Sequence, residues 1–142
     1  MSYIVQADLL ADIPNDVLIQ LTDDNKDGSV DSSVVTDAIT RAQSEVDGYL
    51  ATKYSVPIAA PPQLVKSLTA TLTCYRLFGR RGRGVPEDWG KRYDDAVRTL
   101  TNISKGLVKL DVEPPPAESS TATAGEIKGP ERVFDRDKLG SF

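Results

Sequence analysis

From Val35 to Ile103 the apolar residues recur in steps of three and four, in three runs separated by prolines and glycines. That spacing lines one face of an α-helix, whereas a half-buried strand would alternate every second residue. In the first run Val35, Ala38, Ile39, Ala42, Val46, Tyr49 and Leu50 form a stripe opposite Thr36, Arg41, Ser44 and Asp47. Asp31 or Ser32 is suited to cap it, so a helix is expected over residues 32–54. The stretch SVPIAAPP (55–62) ends that helix, because a residue before proline is driven towards extended backbone. A second helix is expected over 62–79, with Leu64, Val65, Leu68, Leu72, Cys74, Tyr75, Leu77 and Phe78. So broad an apolar arc marks it as the central one. The third begins after Pro86, with Glu87 and Asp88 in a first turn where negative charge suits the helix dipole. Trp89, Tyr93, Ala96, Leu100, Ile103 and Leu107 form its seam, and Gly106 is placed to end it.

Upstream, Leu9, Leu10 and Ile13 are separated from Val17, Leu18 and Leu21 by Pro14, which predicts one or two short helices over 3–22. LVKLDV (107–112) reads as a short extended piece. Beyond it, EPPPAESSTATAG has almost no large apolar residue and cannot bury a core. The expectation is an all-α protein: a bundle of four to five helices over 1–112 and an extended Pro-rich C-terminal arm over 113–142. In that arm Val133, Phe134, Leu139 and Phe142 are the candidate anchors on a charged background.

Composition narrows the chemistry. There is no histidine, which removes Ser-His-Asp and Cys-His catalysis and His-ligated metals. One cysteine permits no internal disulfide, as in a cytoplasmic protein. No run reaches the ~18 apolar residues of a membrane span, and MSYIVQADLL lacks the basic start of a signal peptide. No set of residues can be assigned as nucleophile, base and oxyanion donor, so no enzyme is expected.

Two motifs remain. Asp23, Asn25, Asp27 and Asp31, with Gly28 between them, follow the first half of an EF-hand loop. Position 12, which needs a bidentate glutamate, is Val34. The segment is therefore either a weak Ca²⁺ site or an Asx-rich turn capping the next helix; no other cofactor is implied. The second motif is the basic cluster Arg76, Arg80, Arg81, Arg83, Lys91 and Arg92 around GRRGRGV. Its glycines match neither GxGxxG nor a P-loop. Arg80, Arg81 and Arg83 are thus candidates for a subunit contact or for non-specific contact with DNA. A weak Ca²⁺-binding or nucleic-acid-binding helical module is the alternative reading of these two motifs.

The charge is divided along the chain. Residues 1–37 carry eight aspartates and one lysine, net −7; residues 38–110 carry net +6; the remainder carries −3. An acidic beginning and a basic middle can attract each other within one chain or between copies.

The ordered segments LTDDN with DGSVD (21–31), AITRAQSEVDGYLATKYSVPI (38–58), LTATLTCYRLFGRR (68–81) and KRYDDAVRTLTNISKGLVKL (91–110) resemble the Mu-type phage neck proteins. These form the head-tail connector, or head completion, family of long-tailed phages. The resemblance covers about residues 3–110; its most distinctive elements are Asp47-Gly48-Tyr49-Leu50 with Tyr54 and Pro57, and Arg92-Tyr93-Asp94 with Ala96, Lys105 and Gly106. More distantly the pattern is similar to the helical adaptors that form a ring beneath the portal. The resemblance implies an all-α virion protein of the neck, assembled in the bacterial cytoplasm. It also implies a ring of about twelve copies between the portal and a stopper or tail-terminator protein, with the C-terminal arm docked on the portal.

Overall fold

A computed structural model describes residues 1–113. Those residues form five α-helices: α1 (Gln6–Leu9), α2 (Asn15–Thr22), α3 (Ser32–Leu50), α4 (Gln63–Phe78) and α5 (Glu87–Ser104), with a 3₁₀ turn at Arg80–Gly82. There is no strand among the described residues. The all-α expectation is met, and the expected arm at 113–142 falls outside the described residues except for Glu113.

Each boundary has a local cause. Asp31 starts α3: its side chain accepts from the Ser33 N–H at 3.0 Å and the Val34 N–H at 3.4 Å, relieving two of the unpaired donors of the first turn. α3 ends at Leu50 rather than near 54, continuing only as a turn that closes Tyr54 N–H onto the Leu50 carbonyl at 2.9 Å. Pro62 and Pro86 immediately precede α4 and α5, in extended or near-extended backbone. At the end of α5, Gly106 adopts φ 77°, a conformation costly for a side chain. Gly106 N–H then reaches the Ile103 carbonyl and Leu107 N–H reaches the Asn102 carbonyl, both at 2.9 Å, forming a Schellman closure. This reversal throws Leu107 outward, so the α5 seam ends at Ile103, one step short of the expected length.

α3 and α5 run in the same direction and α4 runs against both. Tyr75 of α4 stacks on Tyr93 of α5 with centroids 4.1 Å apart, and Phe78 meets Trp89 at 5.5 Å. Leu72, Leu77, Leu100, Ile103, Val46 and Leu50 fill the space between the three helices and are fully buried. α4 is the central helix, buried on several sides, including Thr69 and Thr73. Those two hydroxyls donate to carbonyls one turn back, at 2.8 and 2.7 Å, which allows polar side chains inside the core. α1 and α2 pack against α3 and α4 through Leu9, Ile13 and Leu18.

Two expectations about faces, and one about the backbone after α5, need correction. Leu10 and Leu64 are exposed, because each lies about 100° around its helix from an inward neighbour, Leu9 or Val65. Asp47 does not lie on the solvent side of α3: it is half-buried and accepts a hydrogen bond from the buried Tyr3 hydroxyl. The short extended piece expected at 107–112 is interrupted by bends at 107–108 and 111–112, and Leu110 is pinned by its N–H to the Tyr54 hydroxyl at 2.9 Å.

Candidate functional site

The charged side chains gather at two ends of the bundle. At the upper end the loop between α2 and α3 faces the loop between α4 and α5. Within the first loop, Asp23 accepts from the Asp27 and Gly28 N–H groups at 3.1 and 2.9 Å. Asp27 accepts from the Ser29 N–H at 2.9 Å and its hydroxyl at 2.6 Å, and Asp31 caps α3. Lys26 and Gly28 take positive φ, which coils the loop tightly enough for these short-range bonds. The Ser29 hydroxyl holds the Asp27 carboxyl below its ordinary value of 3.8, and the Ser33 hydroxyl does the same for Asp31.

So the loop ties its own backbone with the oxygens that an EF-hand would aim at a cation. Asn25 is exposed, and Val34 sits half-buried on α3 where a twelfth-position ligand would stand. Among the described residues no three acidic, thiol or imidazole groups converge with the spacing of a metal site. The geometry is that of an Asx-rich turn and helix cap.

The arginines do not form one outward patch. Arg80 donates to the Leu21 carbonyl at 2.7 Å and to Asp24 at 2.8 Å, and Arg83 donates to the Gln20 carbonyl at 2.7 Å. Arg81 reaches Asp24 at 3.2 Å, with most of its side chain in solvent. These contacts fasten the α4–α5 loop to the last turn of α2, whose open carbonyls carry the negative end of the helix dipole. The hydrogen bond from Arg80 holds the Asp24 carboxyl below 3.8. The expected attraction between acidic beginning and basic middle is therefore made within the chain. Of the three expected at a subunit or DNA surface, Arg80 is half-buried and engaged within the chain, whereas Arg81 and Arg83 make one contact each and stay exposed.

Beside this clamp a cleft of about 750 Å³ runs between the start of α3 and the end of α4, lined by Asp37, Arg41, Arg76 and Arg80 among others. Its arginines are already neutralised. Arg41 pairs with Asp37 at 2.8 Å, and Arg76 pairs with Glu45. Glu45 also accepts from the Tyr93 hydroxyl at 2.9 Å, so one carboxylate joins all three long helices. Burial, then the bond to Glu45, pushes the Tyr93 hydroxyl up to about 12. Arg92 lies 4.7 Å over the Trp89 ring, a cation–π contact, and Lys91 pairs with Glu87 at 2.9 Å. Cys74 is fully buried, and burial pushes its thiol up to about 12, which suits a core residue and not a nucleophile.

At the lower end lies a second cleft of about 480 Å³, framed by Lys53, Lys105 and Lys109 with Tyr54, Gly106, Leu110 and Val112. Sequence reasoning missed this grouping. The three lysines are up to 56 positions apart in the chain and meet only because α3 and α5 end side by side. Lys53 lies across Gly106, where a Cβ would come within 3.6 Å of its Cε. The candidate anchors Val133, Phe134, Leu139 and Phe142 lie outside the described residues.

At 29% identity over 120 residues the chain is similar to gene product J of Escherichia phage Mu, an alignment covering 80% of this chain and 79% of that protein. The family model for Bacteriophage Mu Gp36 matches residues 3–128, running past the stretch of about 3–110 that carries the resemblance. On that match the chain belongs to the Bacteriophage Mu Gp36 family and is a phage protein.

Proposed function

We propose that this protein is a structural component of the virion neck, a ring subunit joining the portal of the DNA-filled head to the tail. Membership of a Mu family supports this reading, together with the resemblance that the ordered segments of residues 3–110 bear to head-tail connector proteins. The fold is compatible with it. A closed ring needs a heterologous contact, in which two different patches of one subunit meet head to tail. The acidic α1–α2 face and the lysine cleft are two such patches on different elements. The role is one of assembly and not of catalysis, and neither a metal nor another cofactor is needed for it. Its partners are about eleven further copies of itself, the portal, and a stopper or tail-terminator protein. The channel DNA makes at most non-specific contact. Residues 113–142 serve as the arm that reaches the portal; at up to ~3.3 Å per residue such a length spans roughly 100 Å.

The test is to withhold this protein during particle assembly and to locate a labelled copy by electron microscopy. The expected result is DNA-filled heads without tails, and a label at the head-tail junction of complete particles. A label on the capsid shell or at the tail tip would overturn the reading. Mass measurement of the purified chain, alone and with portal, should give a complex of multiple copies with portal.

A further inference from the structure

Subtracting the ion pairs made inside the subunit leaves, beside scattered charges such as Lys26, Lys66, Asp88, Asp94 and Asp111, two groups of like sign. Asp37, Glu45, Glu87 and Asp95 are each paired with a base in the chain, and Asp24 with two. Asp8, Asp12 and Asp16 are exposed on α1, α2 and their junction, and none has a basic partner among the described residues. Lys53, Lys105 and Lys109 are exposed around the lower cleft, again with no acidic partner among the described residues. The acidic face belongs to α1 and α2, the cleft to the ends of α3 and α5, so the two sets do not meet within the subunit.

Each set also carries apolar surface that water should not face. Leu10, 44% exposed, stands between Asp8 and Asp12. Leu107, 74% exposed, stands between the cleft residues Gly106 and Lys109. An apolar centre with a charged rim is the usual build of a protein contact. The matching signs on two different faces point to a second copy of this chain.

We propose that the cleft framed by Lys53, Lys105 and Lys109 seats the acidic α1–α2 face of a neighbouring copy, bringing Asp8, Asp12 and Asp16 to the lysines and Leu10 to Leu107. This rests on the ring reading and names its contact. The upper arginine loop is less suited to that face, because Arg80 is already bonded to Asp24 and to the end of α2 in its own chain. Exposed ion pairs contribute little singly, so the contact depends on several acting together and weakens as salt screens them.

The experiment measures self-association of the full chain by sedimentation, with helix content followed by circular dichroism. Two double variants are used: Lys53→Glu with Lys109→Glu, and Asp12→Lys with Asp16→Lys. The wild-type chain should associate, and about 500 mM salt should weaken that association. Each variant alone should keep its helix content and associate at least about tenfold more weakly. Mixed in equal amounts, the two variants should associate again, since each then presents a face complementary to the other's cleft. That recovery cannot come from misfolding. A chain that stays monomeric at millimolar concentration and low salt overturns the proposal, as does a wild type that associates while both variants do so equally well. A cleft variant that loses binding to a short DNA duplex while self-association is unchanged assigns the cleft to DNA instead. None of these results depends on where the protein lies in the particle, so the neck reading stands or falls separately.

Discussion

Arg80 is the residue on which the upper end of the molecule depends. Its guanidinium closes an open carbonyl of α2 and neutralises Asp24 at once. Arg80→Ala leaves both groups short of a partner, and a charged hydrogen bond of this kind is worth about 1.5–3 kcal/mol. A urea titration followed by circular dichroism is expected to show a loss in that range. Charge reversal at this position should cost more, since it adds a carboxylate beside Asp24 and the negative end of α2. The carboxyls of Asp24, Asp27 and Asp31 are all held below 3.8, so their contribution is complete above that value and is lost as pH falls through the lowered values. For the loop itself, the backbone bonds made by Asp23 and Asp27 and the valine at position 34 predict Ca²⁺ binding no tighter than the millimolar range. Calorimetry checks this, and a constant in the micromolar range or tighter would contradict it.

At the scale of elements, the N-terminal segment is held by the buried Ile4 and by the hydrogen bonds of Tyr3. Tyr3 donates to Asp47 of α3 and accepts from the Ile58 N–H at 2.9 Å, while its own N–H reaches Gln43 at 3.0 Å. It thus joins the N-terminal segment, α3 and the α3–α4 connection. Tyr3→Phe keeps the ring but strands the buried Ile58 donor, at a cost of about 1–3 kcal/mol. Thermal unfolding of that variant should show the loss. Burial and the bond to Asp47 raise the Tyr3 hydroxyl from 10.0 to about 12, as burial and Glu45 do for Tyr93. A raised folded value means the stabilisation is complete below pH 10.0 and disappears as pH rises through about 12. Ultraviolet titration of tyrosinate should therefore show two groups ionising late, together with unfolding. If all five tyrosines ionise before the helices melt, these two hydroxyls are not held as described.

For the whole molecule, the α3–α4–α5 core bears the stability and the two charged ends bear the contacts. Leu72 is fully buried at its centre, and Leu72→Ala is expected to cost about 2–5 kcal/mol in chemical denaturation. The charge-reversal pairs at the two proposed docking faces should cost far less, since the side chains concerned are exposed. A helix-content measurement that separates these two classes also checks the division between a structural core and an assembly surface.

The order, kind and approximate limits of the helices were legible in the chain because they depend on local chemistry. Apolar spacing at 35–50 and 89–103 selects a helical face, prolines at 57, 62 and 86 set where helices can start or stop, and Asp31 and Gly106 close their ends with bonds to near neighbours. The identity of the residues facing inward at Val46, Leu72, Leu100 and Ile103 followed from the same periodicity. What charges do could not be read in this way, because a charge has no periodicity and its partner lies wherever the fold brings it. Asp47 looks like a solvent-face residue until Tyr3, 44 positions away, is packed against it. Arg80 looks like part of an outward patch until α2 ends beneath it and offers a carbonyl. Lys53 and Lys105 are 52 positions apart and share a cleft only because α3 and α5 end together. Local bonds and burial periodicity were determined by the sequence; which long charged side chains were satisfied, and which were left over to meet a neighbour, was decided by tertiary packing alone.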